Sequence, residues 1–105
     1  MKPIEITKEN FEELVLNNAQ PVLVDFWAPW CGYCRRISPA VDQLAEQNAE
    51  QFVTGKINVD EQPELAQRFQ VETIPTLLLF KGGKESEPLI APESKARILD
   101  WVSEH

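Results

Sequence analysis

The stretch Val22-Leu-Val-Asp-Phe-Trp-Ala-Pro-Trp-Cys-Gly-Tyr-Cys-Arg-Arg36 passes from an apolar run into a charged, helix-forming segment within a few positions. Val22–Trp27 is nearly continuous in apolar character, the pattern of a central strand covered on both faces. From Cys34 to about Asn48, the residues Ile37, Val41, Leu44 and Ala45 recur at the spacing of one helix face. Cys31 therefore falls on the turn between strand and helix, and Cys34 one helical turn further in. A helix N-terminus stabilises a thiolate, and a second thiol one turn away lies within disulfide reach. This placement is the grammar of a dithiol/disulfide redox site, with Cys31 exposed and attacking and Cys34 resolving the mixed disulfide. Two inert core thiols, or half of a zinc site, are the other readings of the pair. Zinc normally needs four ligands, and the only further Cys or His is His105 at the chain end, read as a disordered terminus, so no metal site is expected.

Outward from that stretch, the chain alternates strands and helices. Ile4 to Thr7 suits a short first strand. Asn10 to Asn18 places Phe11, Leu14 and Val15 on one helical face before Pro21 ends the pattern. Pro39 lies inside the helix after the cysteines and should kink it, because it removes one backbone donor. Phe52 to Asn58 reads as a second buried strand, and Pro63 to Phe69 as a short helix with proline in its first turn. Thr76–Phe80 is a third core strand, and Lys81-Gly82-Gly83-Lys84 a tight turn into a last strand from Glu85 to Ala91. Pro88 restricts that strand to a sheet edge. Glu93 to Ser103 closes the chain as a helix with Ile98, Leu99 and Val102 facing inward. The expectation is an α/β fold with a mixed central sheet and helices on both faces, residues 1–105 forming one domain.

Composition narrows the function. The chain has 105 residues, 43% hydrophobic and 26% charged, which suits one buried core. A net charge of −7 argues against nucleic acid and anionic membrane surfaces as partners. The N-terminal segment Met1-Lys-Pro-Ile-Glu-Ile-Thr-Lys8 lacks an apolar leader core, so the expected location is the cytoplasm. A disulfide between residues three apart closes too small a loop to serve as a structural staple.

Three segments carry a resemblance to a known family. Val24-Asp-Phe-Trp-Ala-Pro-Trp-Cys-Gly-Tyr-Cys34, Lys56-Ile-Asn-Val-Asp60, and Ile74-Pro-Thr-Leu-Leu-Leu-Phe80 with Gly83 resemble the thioredoxins, and the likeness runs nearly end to end. The resemblance implies the thioredoxin fold, a central five-stranded mixed β-sheet flanked by four α-helices. It implies thiol–disulfide exchange that reduces disulfide-containing proteins, with recharging by a thioredoxin-reductase-type electron donor. No bound cofactor is implied beyond the redox-active disulfide, and a monomer is the default.

The resemblance also suggests roles for single residues. Asp25 interrupts an apolar strand, where a carboxylate must be paired, hydrogen-bonded or kept protonated. The family match gives it proton transfer toward Cys34, with Lys56 on the neighbouring strand influencing its titration. The Ile74–Pro75 bond is expected to be cis and to face the cysteines, with the Ile74 backbone pairing to an extended substrate segment. Trp27 reads as core packing against the site, and Pro29, Trp30, Gly32, Tyr33, Ile74 and Ala91 as a substrate-contacting rim. Arg35 or Arg36 could favour the thiolate or simply be solvated. Two departures from the family pattern stand out. Gly32-Tyr33 replaces the usual Gly-Pro, which frees a backbone N–H near Cys31 and leaves a disulfide oxidant or isomerase as an alternative. Ala91 stands where the family usually has glycine. A redox-independent binding subunit is the alternative from a different class.

Overall fold

Val22–Trp27 forms β2, the middle strand of a mixed sheet in the computed structural model, which describes residues 2–105. The elements are β1 (Ile4–Glu5), α1 (Glu12–Leu16), β2, α2 (Gly32–Gln47), β3 (Val53–Asn58), α3 (Pro63–Arg68), β4 (Thr76–Lys81), β5 (Lys84–Glu85), β6 (Leu89–Ile90) and α4 (Lys95–Glu104). The strands run in the order β1-β3-β2-β4-β5, and β6 also pairs with β4. β1 and β2 are parallel to β3, whereas β4 is antiparallel to β2 and to both short strands. This is the mixed α/β architecture that the resemblance implies, with helices on both faces of the sheet.

Alternation along β2 explains why that strand is apolar throughout. Val22, Val24 and Phe26 face one way, into a core with Phe11 and Val15 near α1, Leu65 of α3, and Leu78 and Phe80 of β4. Phe69 packs there too, its ring centroid 5.4 Å from Phe11 and 5.2 Å from Phe80. Leu23 faces the other way, into a core with Ile37, Val41 and Leu44 of α2, Leu77 and Leu79 of β4, and Ile98 and Trp101 of α4. Asp25 is two residues beyond Leu23 and therefore projects toward α2 rather than toward α1 and α3.

Some elements differ from the sequence expectation. The first helix is shorter and π-wound: the Asn17 N–H donates to Glu12 O, five residues back, at 2.9 Å. The expected strand from Glu85 to Ala91 is two pieces, because Pro88 offers no donor and Ser86 uses its hydroxyl to accept from the Leu79 N–H at 3.0 Å. The helix that bears the cysteines starts at Gly32, earlier than Cys34, and runs through Pro39 to Gln47. In α4 the fully buried partner of Ile98 is Trp101, while Leu99 and Val102 are only partly buried. His105 does not trail free: its ring centroid lies 5.0 Å from that of Trp101, and Lys81 Nζ donates to its carbonyl. No helix among the described residues is long and apolar enough to cross a membrane.

Candidate active site

Helix α2 begins at the cysteine pair, and its first turn is built around sulfur. Cys31 is the N-cap, extended at φ −84° and ψ 110°, and its Sγ accepts from the Cys34 N–H at 3.1 Å. That contact satisfies one of the free amides at the helix start, and it leaves the sulfur where the helix dipole favours negative charge. The two cysteines form a disulfide with their Cα atoms 5.2 Å apart. Both sulfurs are enclosed. Cys34 is 2% exposed, and Cys31 is 8% exposed rather than the open thiol expected from its place on the turn. Ala28, Trp27, Tyr33 and Ile74 surround the pair, and the Ile74 carbonyl oxygen sits 3.8 Å from Cys31 Sγ. The N–H that reaches Cys31 is that of Cys34, an amide present whichever residue occupies position 33.

The Ile74–Pro75 bond is cis and stands over the cysteines, and the Pro75 carbonyl accepts from the Ala91 N–H at 2.8 Å. Ala91 holds φ +47°, a conformation natural to glycine and strained for alanine. Tyr33 reaches the same segment by donating its hydroxyl to Pro92 O at 3.1 Å. Trp30 is 67% exposed, and its Nε1–H is shared between the two Asp60 carboxylate oxygens at 3.0 and 3.2 Å. Of the residues expected at the rim, Tyr33 and Ile74 pack directly on the cysteines, Pro75 and Ala91 are joined to them through the cis bond and its hydrogen bond, Gly32 opens the helix beside them, and Trp30 is turned toward Asp60. Arg35 ties down the turn by donating from Nη1 to Pro29 O at 2.8 Å, while Arg36 lies 6.0 Å from the Tyr33 ring centroid.

On the α2 side of the sheet lies the one buried acid among the described residues. Asp25 is 1% exposed, and neither carboxylate oxygen has a hydrogen-bond partner among the described residues. Desolvation by burial raises its pKa from 3.8 to about 7; the positive charge of Lys56 acts against this and Asp42 adds to it. Lys56 is the register partner of Asp25 on β3, yet its Nζ donates to Ser38 Oγ at 3.2 Å and stands 4.7 Å from the Trp27 ring centroid. Sequence reading assigned no role to Ser38, Asp60 and Pro92. The usable signal was spacing for Ser38 alone, four residues after Cys34 on the same helix face. Among the described residues no cluster of three or more His, Cys, Asp or Glu is placed to hold a metal ion.

Comparison with known proteins places the chain. The thioredoxin family model matches residues 2–104. The chain belongs to the thioredoxin family. It is 42% identical over 100 residues to the M-type chloroplastic thioredoxin of Chlamydomonas reinhardtii, a match covering 95% of this chain and 71% of that one. To the thioredoxin of Porphyra purpurea it is 42% identical over 105 residues, covering 100% and 98% of the two chains. A 41% identity over 101 residues to the bifunctional thioredoxin reductase/thioredoxin of Mycobacterium leprae covers 96% of this chain and 22% of that one. The chain is accordingly a thiol–disulfide oxidoreductase of the protein-disulfide reductase type. Its electrons reside in its own cysteine pair, and the family's chemistry uses no separate cofactor.

Proposed function

We propose that Cys31 attacks, Cys34 resolves, and Asp25 takes the proton that Cys34 must lose. The reduced Cys31 thiolate attacks one sulfur of a substrate disulfide; that S–S bond breaks, and the first substrate sulfur leaves as a thiolate. Cys34 then passes its proton to the Asp25 carboxylate through a water, and its sulfur attacks Cys31 Sγ. The mixed disulfide breaks, the second substrate thiolate leaves, and the Cys31–Cys34 disulfide holds the lost electron pair's vacancy until a donor refills it. The observation that carries this order is the N-cap position of Cys31, whose sulfur alone receives the Cys34 amide at the helix start. An acid with a pKa about 7 accepts and returns a proton readily near neutral pH.

Trp30, Gly32, Tyr33, Ile74, Pro75 and Ala91 form the contact surface for an extended protein segment, with the Ile74 backbone available for strand-like pairing. A thioredoxin-reductase-type enzyme recharges the pair; the fusion named in the Mycobacterium leprae relative supports that partner. The acidic chain acts as a cytoplasmic monomer in this reading, which its net charge of −7 favours through mutual repulsion of copies.

Two variants test the order of attack in an insulin-type disulfide reduction assay. Cys31→Ser should abolish turnover, and Cys34→Ser should trap a covalent adduct visible by mass spectrometry. Full turnover by either variant would refute the assignment. The oxidant or isomerase, raised by Gly32-Tyr33 in place of the usual Gly-Pro, is the second reading, although the amide that reaches Cys31 is that of Cys34. The equilibrium reduction potential of the pair decides between them. A value below the cytosolic glutathione poise identifies a reductant, and one well above it an oxidant.

A further inference from the structure

On the α2 side of the sheet, an ammonium and an orphaned carboxyl stand next to each other in register and do not pair. Asp25 of β2 and Lys56 of β3 are direct partners in a parallel ladder, so their side chains leave the same face. Around a carboxyl this buried, opposite charges attract more strongly than in water. Yet both Asp25 oxygens lack a partner, and the ion pair present among the described residues is Lys8 with Glu64, elsewhere. The Lys56 ammonium is held in another place: Ser38 Oγ accepts from it at 3.2 Å, and the Trp27 ring lies beneath it at 4.7 Å.

Ser38 is not at a random position. Cys34, Ser38 and Asp42 follow one another at intervals of four along α2, a single row on one side of the helix. The hydroxyl is therefore one turn from the resolving sulfur and reaches over the strand pair that bears Asp25 and Lys56. We propose that Ser38 is a positioning residue for the resolving half-reaction: its hydroxyl holds the Lys56 ammonium over Trp27 and off Asp25, leaving that carboxyl unpaired to receive the Cys34 proton. This rests on the proton-acceptor role given to Asp25 above. An Asp25 carboxylate clamped by Lys56 would be a weaker base at the moment Cys34 attacks.

The charged surroundings are few. α2 contributes Asp42 and the cysteines, β3 contributes Lys56, and β4 sets the apolar Leu77 beside Asp25. Glu5 of β1 is in register with Lys56, and Glu61 shares with Lys56 a surface cleft of about 320 Å³, so both acids bear on the lysine.

Ser38→Ala removes the hydroxyl and keeps helix propensity high. Carboxyl-carbon NMR titration of Asp25 in the oxidised protein then reads its ionisation directly. The midpoint should fall by about one pH unit, as expected when an opposite charge moves within 4–6 Å. Ser38→Thr, which retains a hydroxyl, should restore the wild-type midpoint. In a Lys56→Met background, Ser38→Ala should cause no shift. The kinetic counterpart is stopped-flow reaction of the reduced protein with a chromogenic aryl disulfide. Release of the second aryl thiolate reports the attack by Cys34, and its acid limb should move down with the midpoint. An unchanged or raised midpoint in Ser38→Ala, or a shift that persists without Lys56, overturns the proposal. A midpoint that falls while the second thiolate release ignores it overturns the role of Asp25 instead.

Discussion

Replacing Asp25 by asparagine should shift stability in favour of the variant as pH rises. The carboxyl is 1% exposed and has no hydrogen-bond partner among the described residues, so folding takes it out of water with only the Lys56 charge to offset part of the lost hydration. Its pKa rises from 3.8 to about 7, with desolvation the largest cause. Below pH 3.8 the group is protonated in both folded and unfolded chains and its ionisation does not disturb the balance. Between that value and about pH 7 the unfolded chain releases the proton while the folded chain keeps it. Stability therefore falls by about 1.4 kcal/mol per pH unit across this window and levels off above it. The full loss is about 4 kcal/mol, a large share of the 5–15 kcal/mol typical of a small domain.

Asparagine has nearly the same shape and cannot ionise. Equilibrium urea unfolding of both oxidised proteins between pH 3.5 and 8.5 isolates the effect, because every surface carboxylate titrates alike in the two and cancels in the difference. The Asp25→Asn difference should be level at the acid end, climb through the window, and level off above pH 8 about 4 kcal/mol further in favour of the variant. A buried amide without partners shifts the whole curve by a constant and leaves the slope intact. A difference that stays flat across the range would refute the reasoning, since it would mean Asp25 ionises as easily in the fold as outside it.

Three further substitutions address the surrounding structure. Ala91→Gly should stabilise the fold by about 0.5–1 kcal/mol in urea, because Ala91 sits at φ +47° where a Cβ is strained. Trp101→Ala should cost about 3–5 kcal/mol, since this ring is 3% exposed in the core under α2 and β4, and thermal unfolding would show it. Trp30→Phe removes the Nε1–H donated to Asp60 and frees the indole's place on the rim. The KM for a protein disulfide should rise roughly two- to tenfold, the roughly 0.5–1.5 kcal/mol worth of one ordinary hydrogen bond, with kcat little changed.

The parts of this molecule legible in its sequence are those set by periodicity and by backbone chemistry. Val22–Trp27 announced a strand covered twice because both of its faces need apolar side chains, and the structure seats them in two separate cores. Pro88 announced an edge, and the Cys-x-x-Cys pair a helix start, because a missing donor and a free amide are local facts. What escaped depends on reach across elements. Reading Ile98, Leu99 and Val102 as the inner face of α4 missed Trp101, because the buried line on a helix depends on the direction of its neighbour and not on its own sequence. The π-wound turn at Glu12–Leu16 has no compositional mark at all.

The same division runs through the active site, and there it bears on mechanism. A carboxylate in an apolar strand signals by itself that something unusual happens to its charge, so Asp25 could be singled out from one dimension. Whether Lys56 neutralises that charge could not, because register alone brings the two together and predicts a pair. The outcome turns on a hydroxyl from a third element, Ser38, and on the Trp27 ring, which together offer the ammonium an alternative to the acid. In the arrangement observed, the lysine is held by Ser38 and the Trp27 ring. That arrangement leaves Asp25 unpaired on the α2 side of the sheet, with burial raising its pKa to about 7. Reactivity in this chain is thus set as much by where the cation is kept as by the cysteine motif.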